Sequence, residues 1–171
     1  MTPVAVGVDY STRALDVAVL NGRELIGPVE HRLGRDAKAV AAVITRVSMD
    51  LHRLHGPVVM WMERPWVHRS TGKDGETHYN FQNVIDLCLL VGSIRGIFLA
   101  SGHAVELVAP DAWRAAVMLK PTGRDRASKK AAAIRTVQLE YGRTVSDNQA
   151  DAILLAVYGK TMARREALVG R

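Results

Sequence analysis

The apolar positions of this 171-residue chain fall first into short continuous runs and then into longer periodic ones. Val4-Ala5-Val6-Gly7-Val8 is unbroken, the pattern of a strand buried on both faces. Leu15 to Leu20 predicts a second strand. Asn21-Gly22 is a two-residue hairpin signal, returning the chain as a third strand over residues 24–33. From Asp36 to about His55, Val40, Val43, Ile44, Val47, Leu51 and Leu54 recur every three or four residues, which predicts an amphipathic helix stopped by Gly56-Pro57. Val58 to Met62 reads as a fourth strand ending at Glu63. Residues 64–80 are polar with a Gly-rich tip, Thr71 to Gly75, and predict a mobile loop. A helix follows over Phe81 to Ala100, with Gly92, Ser93 and Gly96 as small residues that another element could approach closely. Ala104 to Val108 is the fifth strand. Pro110 opens a short helix carrying Trp113 and Val117. A basic loop then leads to Ser128 as N-cap of a helix reaching about Leu139. A last helix from about Asp147 turns Ala150, Ile153, Leu154 and Val157 inward. The pattern predicts one α/β domain with a five-stranded mixed sheet flanked by helices.

Composition narrows the class. A 48% hydrophobic and 23% charged chain is globular in character. No unbroken apolar run reaches the roughly 18 residues of a membrane span, and Met1 to Ser11 lacks the basic-then-apolar order of a signal peptide. Cys88 is the one cysteine; it excludes an internal disulfide, points to a cytoplasmic setting and reads as a small core hydrophobe. The 23 Lys and Arg against 17 Asp and Glu give a net charge of +6. The excess is clustered at Lys120, Arg124, Arg126, Lys129 and Lys130, and in a basic tail over residues 160–171. Clustered cations favour a polyanionic partner.

Three acids stand where a plain core would not put them. Asp9 and Glu63 each end an apolar strand, and Asp151 lies between Ala150 and Ala152 on a helix. An acid at a strand end is also an ordinary loop residue, and Asp147 in a first helical turn complements the dipole, so none carries weight alone. Together they conflict, because buried carboxylates resist joint ionisation. Divalent cations resolve that conflict: Mg²⁺ takes oxygen ligands, and two ions about 3.5–4 Å apart can serve phosphodiester hydrolysis. His52 and His55 lack zinc spacing. There is no Gly-rich Walker loop.

Gly7-Val8-Asp9-Tyr10-Ser11-Thr12, Met62-Glu63-Arg64-Pro65-Trp66 and Asp147-Asn148-Gln149-Ala150-Asp151-Ala152 resemble, in that order, the acidic motifs of RuvC-like Holliday junction resolvases, phage-encoded members above all. Gly92 to Gly96, Ala109 to Arg114 and Ala127 to Lys130 extend the resemblance over residues 4–160. It implies an RNase H-like fold, a homodimer, Mg²⁺ or Mn²⁺ (two ions per site), and paired nicking of four-way DNA junctions in the host cytoplasm, in recombination, repair or packaging. By motif position Asp9, Glu63 and Asp151 would be metal ligands. The fourth acid of cellular members falls at Asn148 here, with Asp147 one residue earlier on the helical face of Asp151. Asp147 is the expected ligand and Asn148 the alternative. Trp66 would stack on a base near the crossover. Lys129 or Lys130, with Arg114, would face the scissile phosphate. Arg69, Lys73, Lys120, Arg124 and Arg126 would be phosphate-positioning contacts.

Three alternatives compete. A sugar-kinase or actin-like ATPase opens with a similar Gly-x-Asp strand but needs a second domain to close over its nucleotide. A flap or fork nuclease, or a ribonuclease of the same fold, would share the metal ligands and differ only in substrate shape. A DNA-binding module without catalysis would favour neutral residues beside phosphates, which three acids oppose.

Overall fold

The computed structural model describes residues 4–65, 69–71, 77–79, 81–123 and 125–168. Its centre is a mixed five-stranded sheet. β1 (Ala5–Tyr10), β2 (Ala14–Asn21) and β3 (Glu24–Arg32) form an antiparallel meander. β4 (Val59–Glu63) then runs parallel to β1. The chain crosses over through α1 (Ala37–His55) to reach β4. The two-residue connection is shifted by one position from the expected turn. Asn21 still pairs with Glu24, and Gly22, at φ 59°, opens the turn in the left-handed region where glycine is unstrained.

Part of the expected loop is a short antiparallel ribbon, β5 (Arg69–Thr71) with β6 (Thr77–Tyr79). Strands of three polar residues carry no period long enough to read. α2 (Phe81–Ala100) leads to β7 (Ala104–Val108), parallel to β4 at the sheet edge. The order is therefore β3-β2-β1-β4-β7, the mixed sheet that the pattern predicts. α3 (Pro110–Val117), α4 (Arg126–Tyr141) and α5 (Asp147–Leu168) complete the chain.

Strand alternation divides the core. Val6, Val8, Leu15, Val17, Val19, Met60 and Met62 face α1 and α2. Ala18, Leu20 and Trp61 face the other way, against α5. The α5 layer is tight because small residues meet there. A Cβ on Gly7 would overlap the backbone of Ala152 and Ala156, and one on Gly159 would overlap the Trp61 indole. Glycine at both positions lets α5 lie against β1 and β4, and that contact sets the height of Asp151 above the sheet.

Four expectations need correction. Cys88 is exposed, not core. α2 carries apolar residues on more than one side and buries only Leu90, Val91, Ile94 and Phe98, leaving Phe81, Ile85, Leu89 and Leu99 exposed. By length and composition α2 also passes as a possible membrane span, with a mean hydropathy of 1.7; its charged Asp86 and Arg95 interrupt the run that a search for unbroken apolar stretches needs. The cap of α4 is Asp125, whose side chain accepts from the Ser128 N–H at 2.9 Å, so the helix begins three residues before the expected start. The expected basic tail is helical through Leu168, and Lys160 donates to the Gly22 carbonyl across the sheet.

Candidate active site

Asp9 and Glu63 lie at the C-terminal ends of two neighbouring parallel strands. Val8 pairs with Met62, so the two acids stand side by side one residue further on. Both fall on the α5 face, two residues beyond Gly7 and Trp61, which meet α5 directly. Asp151 lies in the second turn of α5 and reaches down over them. Its backbone neighbours Ala150 and Ala152 are fully buried, which fixes the helix rotation.

The electrostatics show how tightly the three are coupled. Burial pushes the Asp9 carboxyl well above its ordinary 3.8; Asp151, Glu63 and then Asp16 push it further, against a smaller opposing hydrogen bond from the Tyr10 backbone. Asp151 is pushed up to about 6, mainly by burial, with Arg114 opposing, Glu63 adding, and Lys130 and Arg126 opposing. Asp16 is likewise raised to about 6, by burial and then by Glu30. Burial raises the Tyr10 phenol too, with Glu63 and Asp9 beside it, so it stays a neutral donor. Its hydroxyl donates to the Glu63 carbonyl at 2.7 Å and ties the two strand ends together.

Glu63 is held from the far side by α3. The Trp113 Nε1–H donates to Glu63 Oε2 at 3.1 Å, and an Arg114 guanidinium N–H donates to the same oxygen at 2.9 Å. The same Arg114 nitrogen stands 3.7 Å from Asp151 Oδ2, and the guanidinium lies 4.7 Å from the centre of the Trp113 ring. Arg114 thus sits between two of the three acids. As the side chains stand, no group of three or more His, Cys, Asp or Glu among the described residues is arranged to hold a metal ion. The Arg114 guanidinium instead stands between Glu63 and Asp151 as the cation they share.

Asp147 is ion-paired with Lys130 of α4, and it is not among the groups acting on Asp9. Asn148 is exposed. The expected fourth ligand therefore stands at the rim, one helical turn from Asp151. Of the two late lysines, Lys130 is the one brought to the acids. Lys129 is half-buried in the first turn of α4, its backbone N–H on the Asp125 carbonyl at 3.2 Å. Arg126 is exposed yet close enough to act on Asp151. Lys120 is exposed in the α3–α4 connection. Arg69 falls in β5; Trp66, Lys73 and Arg124 lie outside the described residues.

Sequence reasoning missed three contributors: Asp16, Tyr10 and the Trp113 N–H. The signal for Asp16 was legible, an acid within the apolar run Leu15 to Leu20. The other two act through a phenol O–H and an indole N–H, and no sequence pattern marks where a Tyr or Trp will aim its polar atom.

The cluster is chemically a set of carboxylates in excess of their local cations, with Arg114 of α3, Lys130 of α4 and Asp151 of α5 around it. Asp9, Glu63 and Asp151 suit hard divalent cations by donor type.

No protein-family model matches the chain, and no curated protein matches it. Solved structures do. Thermus thermophilus RuvC in complex with a Holliday junction substrate is similar at a TM-score of 0.70 and 18% identity, covering 95% of this chain and 96% of that one. A further Thermus thermophilus RuvC structure is similar at 0.67 and 18%, with the same coverage. The yeast mitochondrial Holliday junction resolvase is similar at 0.52 and 13%, over 98% of this chain and 83% of that one. The chain has the RuvC-type, RNase H-like fold.

Proposed function

We propose that this protein is a metal-dependent endonuclease that resolves four-way DNA junctions as a homodimer. The observation that carries the reading is the convergence of Asp9, Glu63 and Asp151 from β1, β4 and α5 on one point, with Arg114, Lys130 and Arg126 around it. Isolated buried acids would cost several kcal/mol each without a cation to compensate them. Junction DNA as substrate is supported by the fold shared with a resolvase bound to it.

Asp9, Glu63 and Asp151 would hold Mg²⁺ or Mn²⁺, two ions in our reading, with Asp147 the fourth ligand once it leaves Lys130. The bound cations supply an activated water and neutralise charge on the phosphodiester. The chain's own part is positional. Tyr10 and Trp113 fix the Glu63 side of the site, and the small-residue contact of α5 fixes Asp151. Lys130 and Arg114 would offset charge growing on the phosphoryl oxygens. Arg126, Lys120, Arg124, Arg69 and Lys73 would track backbone phosphates, and Trp66 would stack on a base at the crossover.

The dimer reading rests on α2. Phe81, Ile85, Leu89 and Leu99 are 62%, 51%, 67% and 49% exposed, and a Cβ on Gly92 or Gly96 would meet nothing within 4 Å. An apolar face of this length, open at small residues, fits a second copy of the same helix. Two such subunits would present two sites to symmetric strands.

The deciding assay offers the purified protein a synthetic four-way junction, a linear duplex and a flap, each with Mg²⁺, Mn²⁺ or EDTA. Junction cleavage that needs metal and is lost in Asp9→Asn is expected. Cleavage undiminished by Asp9→Asn or by EDTA would refute the metal-dependent reading. Preference for flaps would keep the chemistry and replace the substrate.

A further inference from the structure

The carboxylate cluster does not end at Asp9. Across the sheet, Asp9 of β1 pairs with Asp16 of β2, and Asp16 pairs with Glu30 of β3. With Glu63 beside Asp9, four acids form one row over four strands. Directly opposed residues of antiparallel strands project to the same face. Asp16 shares its face with Ala18 and Leu20, which pack in the α5 layer, so its carboxyl lies beneath α5 beside Asp9.

Asp16 differs from Glu30 in one decisive respect. Glu30 is exposed and is solvated. Asp16 is only 3% exposed, and its Oδ1 is buried without a hydrogen-bond partner. A buried acceptor left unpaired costs about 1–3 kcal/mol, and more when charged. Val17, Val19 and Leu20 show what the strand would otherwise hold. An acid kept at that cost beside the most strongly coupled carboxylate of the site has a use there.

We propose that Asp16 is a further carboxylate of the cation site, binding on the β2 side of Asp9 the divalent ion that Asp9 holds. This rests on the metal-dependent reading above, and it extends the ligand set beyond the motif acids to a residue in the middle of a core strand. Asp16 gives the site a carboxylate on the side of Asp9 away from Arg114. A cation can therefore be held there while the guanidinium still bridges Glu63 and Asp151.

The test is equilibrium Mn²⁺ binding to the DNA-free protein, followed by calorimetry or by the spectrum of free Mn²⁺. Asp16→Asn keeps the shape and removes the charge, and it should weaken Mn²⁺ binding by about tenfold or more, the range seen when groups supporting a metal site are removed. Asp16→Ala should weaken it as much. Glu30→Gln, equally one charge poorer, should change affinity less than about twofold, since an exposed carboxylate is screened. In EDTA, Asp16→Asn should melt no lower than the wild type. Wild-type affinity in both Asp16 variants, or an equal loss in Glu30→Gln, would overturn the assignment while leaving the metal centre standing. Absence of Mn²⁺ binding by the wild-type chain would refute the metal reading and this inference with it.

Discussion

Gly7→Ala should damage this protein more than any other single methyl group. The new Cβ would overlap the Ala152 carbonyl oxygen and the Ala156 nitrogen, both far inside the 3.0 Å that real Cβ contacts respect, and it would also press on the Leu155 Cβ. None of these is the end of a flexible side chain. Relief requires α5 to withdraw by about 1 Å, and misplacements of about 1 Å cost on the order of 100-fold in rate. Asp151 moves with α5, whereas Asp9, two residues from the substitution, stays in β1. Overpacking costs typically about 1–3 kcal/mol, and a backbone obstacle places this site at the upper end. For a domain of this size each kcal/mol lowers Tm by roughly 2–4 °C, so a loss of roughly 6–12 °C is expected, with junction nicking reduced about 100-fold. Gly159→Ala provides the contrast. Its Cβ meets the Trp61 indole, which can tilt, and it lies eight residues from Asp151, about 12 Å along the helix; stability should fall while nicking by the folded fraction is retained. The assays are thermal melting by circular dichroism and single-turnover nicking. Wild-type Tm in Gly7→Ala would show that α5 does not rest on β1 as described. A lowered Tm with full nicking would show that the α5 contact does not position Asp151.

Arg114→Gln should lower stability in EDTA by about 1–3 kcal/mol, because Glu63 and Asp151 lose their shared cation. Added Mn²⁺ should then raise Tm further in the variant than in the wild type; equal increments would refute the view that the two acids share the guanidinium as their cation. Asp16 and Asp151, raised from 3.8 to about 6 chiefly by burial, bind protons more tightly folded than unfolded. Their stabilisation is complete below about pH 4 and is lost as pH rises through about 6. The metal-free protein should therefore melt several degrees lower at about pH 7.5 than at about pH 5 on their account, Asp151→Asn should flatten that slope, and an unchanged slope would refute it. Leu89→Arg, on the exposed face of α2, should convert a dimer to monomer in sedimentation while shifting stability by no more than about 0.5 kcal/mol. An unaltered dimer would place the interface elsewhere.

Much of this architecture was legible because strands and α1 announce themselves by period. The acids at Asp9 and Glu63 were visible as charges terminating apolar runs, and Asp151 as a charge on an otherwise inward face. What was illegible had physical causes. α2 carries apolar residues on more than one side, so periodicity could not tell its buried stripe from its open one, and Cys88 went to the wrong side. Asp125 and Ser128 are both good caps; only the geometry shows Asp125 accepting from Ser128, which makes Arg126 the first helical residue. Arg114 keeps its expected phosphate role as a proposal, but its motif position says nothing about where a long side chain and two nearby acids bring the guanidinium, which pairs with Glu63 and Asp151.

That last difference changes how the site is understood. The carboxylates of the cluster need compensating charge, and Arg114 between Glu63 and Asp151 and Lys130 on Asp147 supply it. Both cations belong to α3 and α4, so the groups that neutralise the acids are the ones to which the proposed function assigns phosphate. On the proposed function the charge balance would be an exchange: divalent ions on the acids would free the guanidinium and the ammonium to pair with DNA, and DNA on the cations would raise the affinity of the acids for metal. Binding of the two should be mutually reinforcing, as linkage requires of any such pair. Asp16, on the inference drawn above, would let the Asp9 side of the row hold a cation while Arg114 still pairs with Glu63 and Asp151.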